Sequence, residues 1–164
     1  SVLLKNLNFE KAFGDAIDID ISNNIKVVDS KFNSSANDAI DLMQSKATIE
    51  NNIINFSGDK GISIGEGSIA RISDIKFVKN DLAIAVKDGS RVEIFNSKFL
   101  NNNKEIYAYK KNWQYGSGGF VSIKNSYFED SSININSNNR SIINLKDNKF
   151  NDKKNFKGKN INLY

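Results

Sequence analysis

Residues 15–32 read DAIDIDISNNIKVVDSKF, and the phrase returns as DAIDLMQSKATIENNI over 38–53, GISIGEGSIARISDIKF over 61–77 and LAIAVKDGSRVEIFNSKF over 82–99. Each copy holds an apolar-x-apolar pair, a polar break, a second such pair, then an Asn or Asp three residues before an apolar anchor. The anchors Phe9, Phe32, Ile54, Phe77, Phe99, Phe128 and Phe150 form a column at steps of 22 or 23 residues, widened once between Phe99 and Phe128. Five residues before each anchor stand Leu4, Val27, Ile49, Ile72, Ile94, Ile123 and Leu145, and two before those Val2, Ile25, Ala47, Ala70, Val92, Val121 and Ile143. The pairs that open the repeats are Ile17/Ile19, Ile40/Leu42, Ile62/Ile64, Ile84/Val86, Tyr107/Tyr109 and Ile133/Ile135, with Ile161/Leu163 as the last rung. Alternation of period two marks these pairs as half-buried strands.

A repeat of this length is too short for a βα unit, whose crossover takes about a dozen residues or more. What remains is three short strands per coil, with successive coils stacked in parallel. Parallel crossovers are nearly always right-handed. The expected fold is therefore all-β: a right-handed, single-stranded parallel β-helix of about seven coils. One corner of each coil is marked by Asn6, Asp29, Asn51, Asp74, Asn96, Asn125 or Asp147. These two residue types tolerate the left-handed backbone and bond locally to it. Stacked about 4.8 Å apart, their side chains are also expected to bond one another up the stack.

Composition agrees with that reading and narrows the chemistry. The 164 residues suit one domain and include 26 asparagines but no Cys, His or Pro. Disulfides, thiolate zinc sites, cysteine nucleophiles and imidazole bases are thereby excluded. The net charge of +4 is spread along the chain, so nucleic-acid binding is not expected. No run approaches the ~18 apolar residues of a membrane span, and no membrane insertion is expected. Lack of cysteine suits a reducing cytosol and equally the surface and secreted proteins of bacteria.

The four quoted segments resemble the right-handed parallel β-helix repeat family of the pectate-lyase-like superfamily, and the likeness runs from residue 2 to about residue 150. The resemblance implies a groove beside the opening strands that holds acidic polysaccharide, and a secreted or cell-surface location. Polygalacturonases of this superfamily carry a Gly-His-Gly segment, which a chain without histidine lacks. The chain is read as one β-helix domain over 1–164, cut from a larger protein because it opens directly on a strand. Residues 110–120 form an inserted loop, and the basic segment 151–164 is expected to cap the last coil.

Outward positions of the opening strands are read as Asp18, Asp41, Ser63, Ala85, Ala108 and Asn134, then Asp20, Met43, Gly65, Lys87, Lys110 and Asn136. The face is polarised, with Asp15 and Asp38 adding to the acids of the early coils and Lys60, Lys87 and Lys110 following. Carboxylates at Asp18 and Asp41 about 5 Å apart would repel by roughly 3 kcal/mol at an effective dielectric near 20. A raised pKa, a Ca²⁺ ion on Asp18, Asp20, Asp38 and Asp41, or the Lys60 ammonium would relieve this; plain solvated or turn-capping aspartates are the alternative. With calcium, the mechanism of most physical sense is β-elimination or epimerisation on a uronate polymer, with Lys87, then Lys110 or Lys60, as base. The competing reading is exposed lysines on a non-catalytic spacer, adhesin or glycan-binding module. The inserted loop offers Trp113 and Tyr115 for stacking on a sugar ring and Lys111 for its carboxylates, unless the aromatics fold back over the coil.

Overall fold

The computed structural model describes residues 1–138 and 140–164. Its strands wind into three parallel sheets, each coil contributing one strand to each sheet in turn. The first sheet has eight strands, beginning with Val2–Lys5 and Ile25–Val28 and ending with Ile142–Lys146 and Ile161–Leu163. The second has seven short strands from Asn8–Glu10 to Lys149–Phe150, and the third seven from Ile17–Asp20 to Lys154–Lys157. No helix occurs among the described residues. This is the all-β parallel solenoid of about seven turns that the repeat predicts.

In-register pairing stacks identical side chains up the axis. Ile17, Ile40, Ile62, Ile84, Ile106 and Ile135 follow one another as Cα partners and are all buried. The anchor column also holds: Phe9 stacks on Phe32 (5.2 Å between ring centres), and Phe77, Phe99, Phe128 and Phe150 form a run at 5.0, 4.5 and 4.9 Å. Near-parallel rings at this spacing exclude water and add to the area term.

All seven marked corner residues have positive φ, between 49° and 56°. The other two corners repeat the conformation at Lys11, Ser34, Phe56, Lys79 and Asn101, and at Ile21, Gln44, Glu66 and Asp88. Apart from Asn101 and Asp88, those residue types do not announce it. The expected side-chain ladder also needs correction. Asn51 does donate to Asp29 (2.8 Å), but the continuous ladders stand one residue after each corner and are largely buried. At the first corner Leu7 N–H donates to Ser30 Oγ (3.0 Å), Ser30 N–H to Asn52 Oδ1 (2.7 Å), Ser97 N–H to Ser126 Oγ (3.2 Å) and Ser126 N–H to Asn148 Oδ1 (2.9 Å). At the second, Ser57 N–H donates to Asn80 Oδ1 and Asn80 N–H to Asn102 Oδ1 (both 3.0 Å). At the third, Ser22 N–H donates to Ser45 Oγ and Ser45 N–H to Ser68 Oγ (both 3.0 Å). Where such a ladder runs, a corner amide that the strands do not pair is satisfied by the coil above.

Two register expectations fail. Tyr107 and Tyr109 are not core residues: Lys87 pairs with Tyr109 and Ala85 with Tyr107, so Ile106 and Ala108 turn inward and both tyrosines outward. Ala108 and Lys110 therefore leave the outward columns, and Asn136 rather than Asn134 continues the Tyr107 column. The segment KEIYAY is apolar on both faces, so alternation alone cannot choose between them; the 22-residue step from Lys87 to Tyr109 does. Second, Ile161–Leu163 pairs with the Ile142–Lys146 strand and belongs to the first sheet, while the last rung of the third is Lys154–Lys157, with Phe156 beneath Phe150. Residues 151–164 thus supply a further strand to each of two sheets through shortened turns.

Two substitutions test this account by chemical denaturation. Asn80→Ala leaves the Ser57 amide and the Ile54 carbonyl without their buried partner and is expected to cost about 1–3 kcal/mol. Ile21, an exposed β-branched residue at φ 49°, carries left-handed strain, so Ile21→Asn is expected to stabilise by about 1 kcal/mol.

Candidate functional site on the third sheet

The outward face of the third sheet carries two columns, Asp18, Asp41, Ser63, Ala85, Tyr107 and Asp20, Met43, Gly65, Lys87, Tyr109. Its lower coils are acidic and its upper coils cationic and aromatic, as the charge pattern predicts. Asp18 and Asp41 are Cα partners on adjacent strands, and Asp18 titrates above its ordinary value. Burial contributes most, followed by the charges of Asp20, Asp41 and Asp15. Among the described residues no three acidic side chains gather as a metal-binding group.

Lys60 sits elsewhere than the repulsion argument places it. Its ammonium bonds to Asp59 and stands 3.4 Å from Asp38 Oδ1, while its own N–H donates to that oxygen at 3.0 Å. Burial works to lower the Lys60 pKa, yet the bond to Asp59 and the charges of Asp38 and Asp59 carry it above its ordinary value. Burial pushes the Asp38 carboxyl up to about 6 against the pull of Lys60, with Asp41, Asp59 and Asp15 adding to the rise. Lys60 and Asp38 therefore form an ion pair at the strand start.

Lys87 is the unusual cation. Its chain lies across Gly65, where an added Cβ would stand 3.2 Å from Lys87 Cε, so the glycine makes the room. Burial lowers its pKa; Asp41 and Asp38 oppose that shift, and Lys60 and Lys111 reinforce it. Ser63, on the same face, is fully buried, and its Oγ finds no hydrogen-bond partner among the described residues. Above Lys87 the outward-facing Tyr107 and Tyr109 stack with ring centres 4.4 Å apart. Tyr109 is half-buried, and its hydroxyl is raised by that burial while Lys60 draws it down.

The inserted loop is pinned to this face by Asp88, whose Oδ1 accepts the N–H groups of Lys111 (2.7 Å) and Asn112 (2.8 Å). Tyr115 folds back, its ring 3.6 Å from where a Cβ on Gly89 would lie, whereas Trp113 is 83% exposed. Lys110 donates to the Trp113 carbonyl (3.2 Å) and belongs to the loop rather than the sheet face. The structure thus brings Lys87, Tyr107, Tyr109 and Lys111 to one region, with Lys87 reaching down across Gly65 to within the field of Asp41 and Asp38. The tyrosine shelf was missed because both rings were read as core; the 22-residue step was the signal that finds it.

Stacked parallel coils with one polar, groove-like face define a solenoid of the parallel β-helix class. A family model described as right handed beta helix region matches residues 15–163, and the chain belongs to that family. No curated protein and no solved structure matches the chain.

One carboxyl inside the coil was not foreseen. Glu105 points inward in the column of Ala39, Gly61 and Ala83, fully buried, with Oε2 accepting Asn134 N–H at 2.6 Å and Oε1 unpartnered among the described residues. Burial raises its pKa to about 8, the Asn134 bond opposing and Asp130 assisting. A carboxyl raised above its unfolded value of about 4.3 makes stability fall as pH climbs between that value and the folded one. Thermal melting from pH 5 to 8 is therefore expected to show a decline that Glu105→Gln, which keeps the acceptor, flattens.

Proposed function

We propose that the upper coils of the third sheet bind acidic polysaccharide, as a glycan-binding platform within a larger surface or secreted protein. The observation that carries this reading is the outward Tyr107–Tyr109 stack beside Lys87 and Lys111. Aromatic faces accept the C–H face of a sugar ring, and the ammonium groups meet its carboxylates. The exposed Trp113 extends the surface along the axis, and a regular solenoid face suits a linear polymer. Resemblance to the pectate-lyase-like superfamily supports the substrate class.

A second reading is elimination on a uronate polymer, favoured by the burial that lowers the Lys87 pKa. A neutral Lys87 amine would take the C5 proton, the electron pair would form the C4–C5 double bond, and the C4–O bond would break. The leaving oxygen takes a proton from solvent. In this reading Asp18, Asp20, Asp38 and Asp41 would hold calcium, which would neutralise the sugar carboxylate; added calcium is then expected to raise the melting temperature and Asp41→Asn to remove the rise.

Affinity electrophoresis in polygalacturonate or alginate tests the proposal. Retardation is expected, and Tyr107→Ala or Lys87→Met should weaken it tenfold or more, about 1.4 kcal/mol. No retardation on either polymer, or equal retardation of the variants, removes it. Appearance of unsaturated uronate absorbance, abolished by Lys87→Met, would turn the platform into a lyase.

A further inference from the structure

The first sheet carries a long open groove of about 870 Å³ on the side away from the tyrosine shelf. Its cations are Lys26, Lys46, Arg71 and Arg91, and its single carboxylate, Glu93, already pairs with Arg71 (3.5 Å). Between them lie apolar side chains that a sheet face exposed to water would not ordinarily show: Leu3 is 62% exposed, Ile69 46% and Ile142 37%. Arg91 stands over Phe120, its guanidinium carbon 4.5 Å from the ring centre. Arginine and apolar residues in one patch are the composition of a protein contact rather than of a solvated sheet.

The same chain carries the complement. Phe13 is fully exposed at the second corner, and Ile21 is exposed at the end of the neighbouring third-sheet strand. In the chain they are flanked by Glu10, Asp15, Asp18 and Asp20, with Lys11 the one cation between residues 10 and 21. The second corner, which carries Phe13, joins the second and third sheets and does not adjoin the first sheet that carries the groove. We propose that the groove of one copy receives the acidic, Phe13-bearing corner of a second copy. The contact is heterologous: each copy offers a groove and a knob, and repetition gives an open string or a ring rather than a closed two-fold dimer. This goes beyond the glycan reading and uses the acidic coils that an anionic polymer would avoid.

Sedimentation of the chain at low salt is expected to give a mass that rises with concentration above 18.4 kDa and returns to the monomer in high salt. Arg71→Gln/Arg91→Gln and Asp18→Asn/Asp20→Asn, each required to keep the wild-type far-ultraviolet dichroism, should each weaken self-association more than tenfold. Mixing the two is decisive, because each retains the face the other lacks: a one-to-one dimer and nothing larger is expected. A wild-type monomer at millimolar concentration, variants that associate like the wild type, or a mixture that stays monomeric or grows past the dimer would overturn the proposal. So would a persistent monomer that binds polygalacturonate through Arg71 and Arg91, since the groove would then belong to a glycan.

Discussion

Everything in this molecule depends on turning a chain through three tight corners per coil without stranding a backbone amide. The strands look after themselves, because each pairs with the coil above and below. Corners do not, since a left-handed residue points its successor's N–H along the axis, away from any strand partner. A Ser or Asn one coil on supplies the acceptor, and its own N–H makes the same demand of the next coil. Left unmet, each such buried amide costs about 1–3 kcal/mol, and the ladder bonds together match or exceed the stability of a domain this size. The asparagine richness is therefore a hydrogen-bonding requirement as well as a conformational one.

That requirement also explains what could be read from residues alone. The first corner was legible because the left-handed conformation there is taken by Asn or Asp in all seven coils. The second and third corners adopt the same φ with Lys, Phe, Gln or Ile. There the ladder residue one step later carries the energetic weight, and the strain at the corner residue is tolerated. Reading the left-handed residue as the ladder residue merged two positions that the structure keeps apart.

The face of the third sheet was legible in charge but not in register. Alternating strands show which residues share a face only when one face is polar, and KEIYAY has apolar residues on both. Spacing between coils is the stronger constraint, since a slip of one residue would expose Ile106 and bury Tyr107 and would break pairing with Lys87. Lys87 shows the opposite case: its burial comes from Gly65 one coil below, which leaves space for a side chain to lie along the axis. Such coupling between coils is invisible within any one repeat.

A solenoid that satisfies its backbone internally leaves its faces free to diverge, and here they have done so in charge. The first sheet is cationic with exposed aliphatics, the lower third sheet acidic, the upper third sheet cationic with stacked tyrosines. Uniform faces would have been equally compatible with the corner ladders, which involve none of these side chains. The polarity is thus not a by-product of the fold. Opposed patches on different sheets of one rod favour contacts that propagate, whereas the tyrosine shelf lies coils away from the acidic patch on the third sheet. Assembly through the first and a glycan on the second are therefore compatible in one molecule, and a string of copies would present its shelves in a row, converting weak single-site binding into avidity.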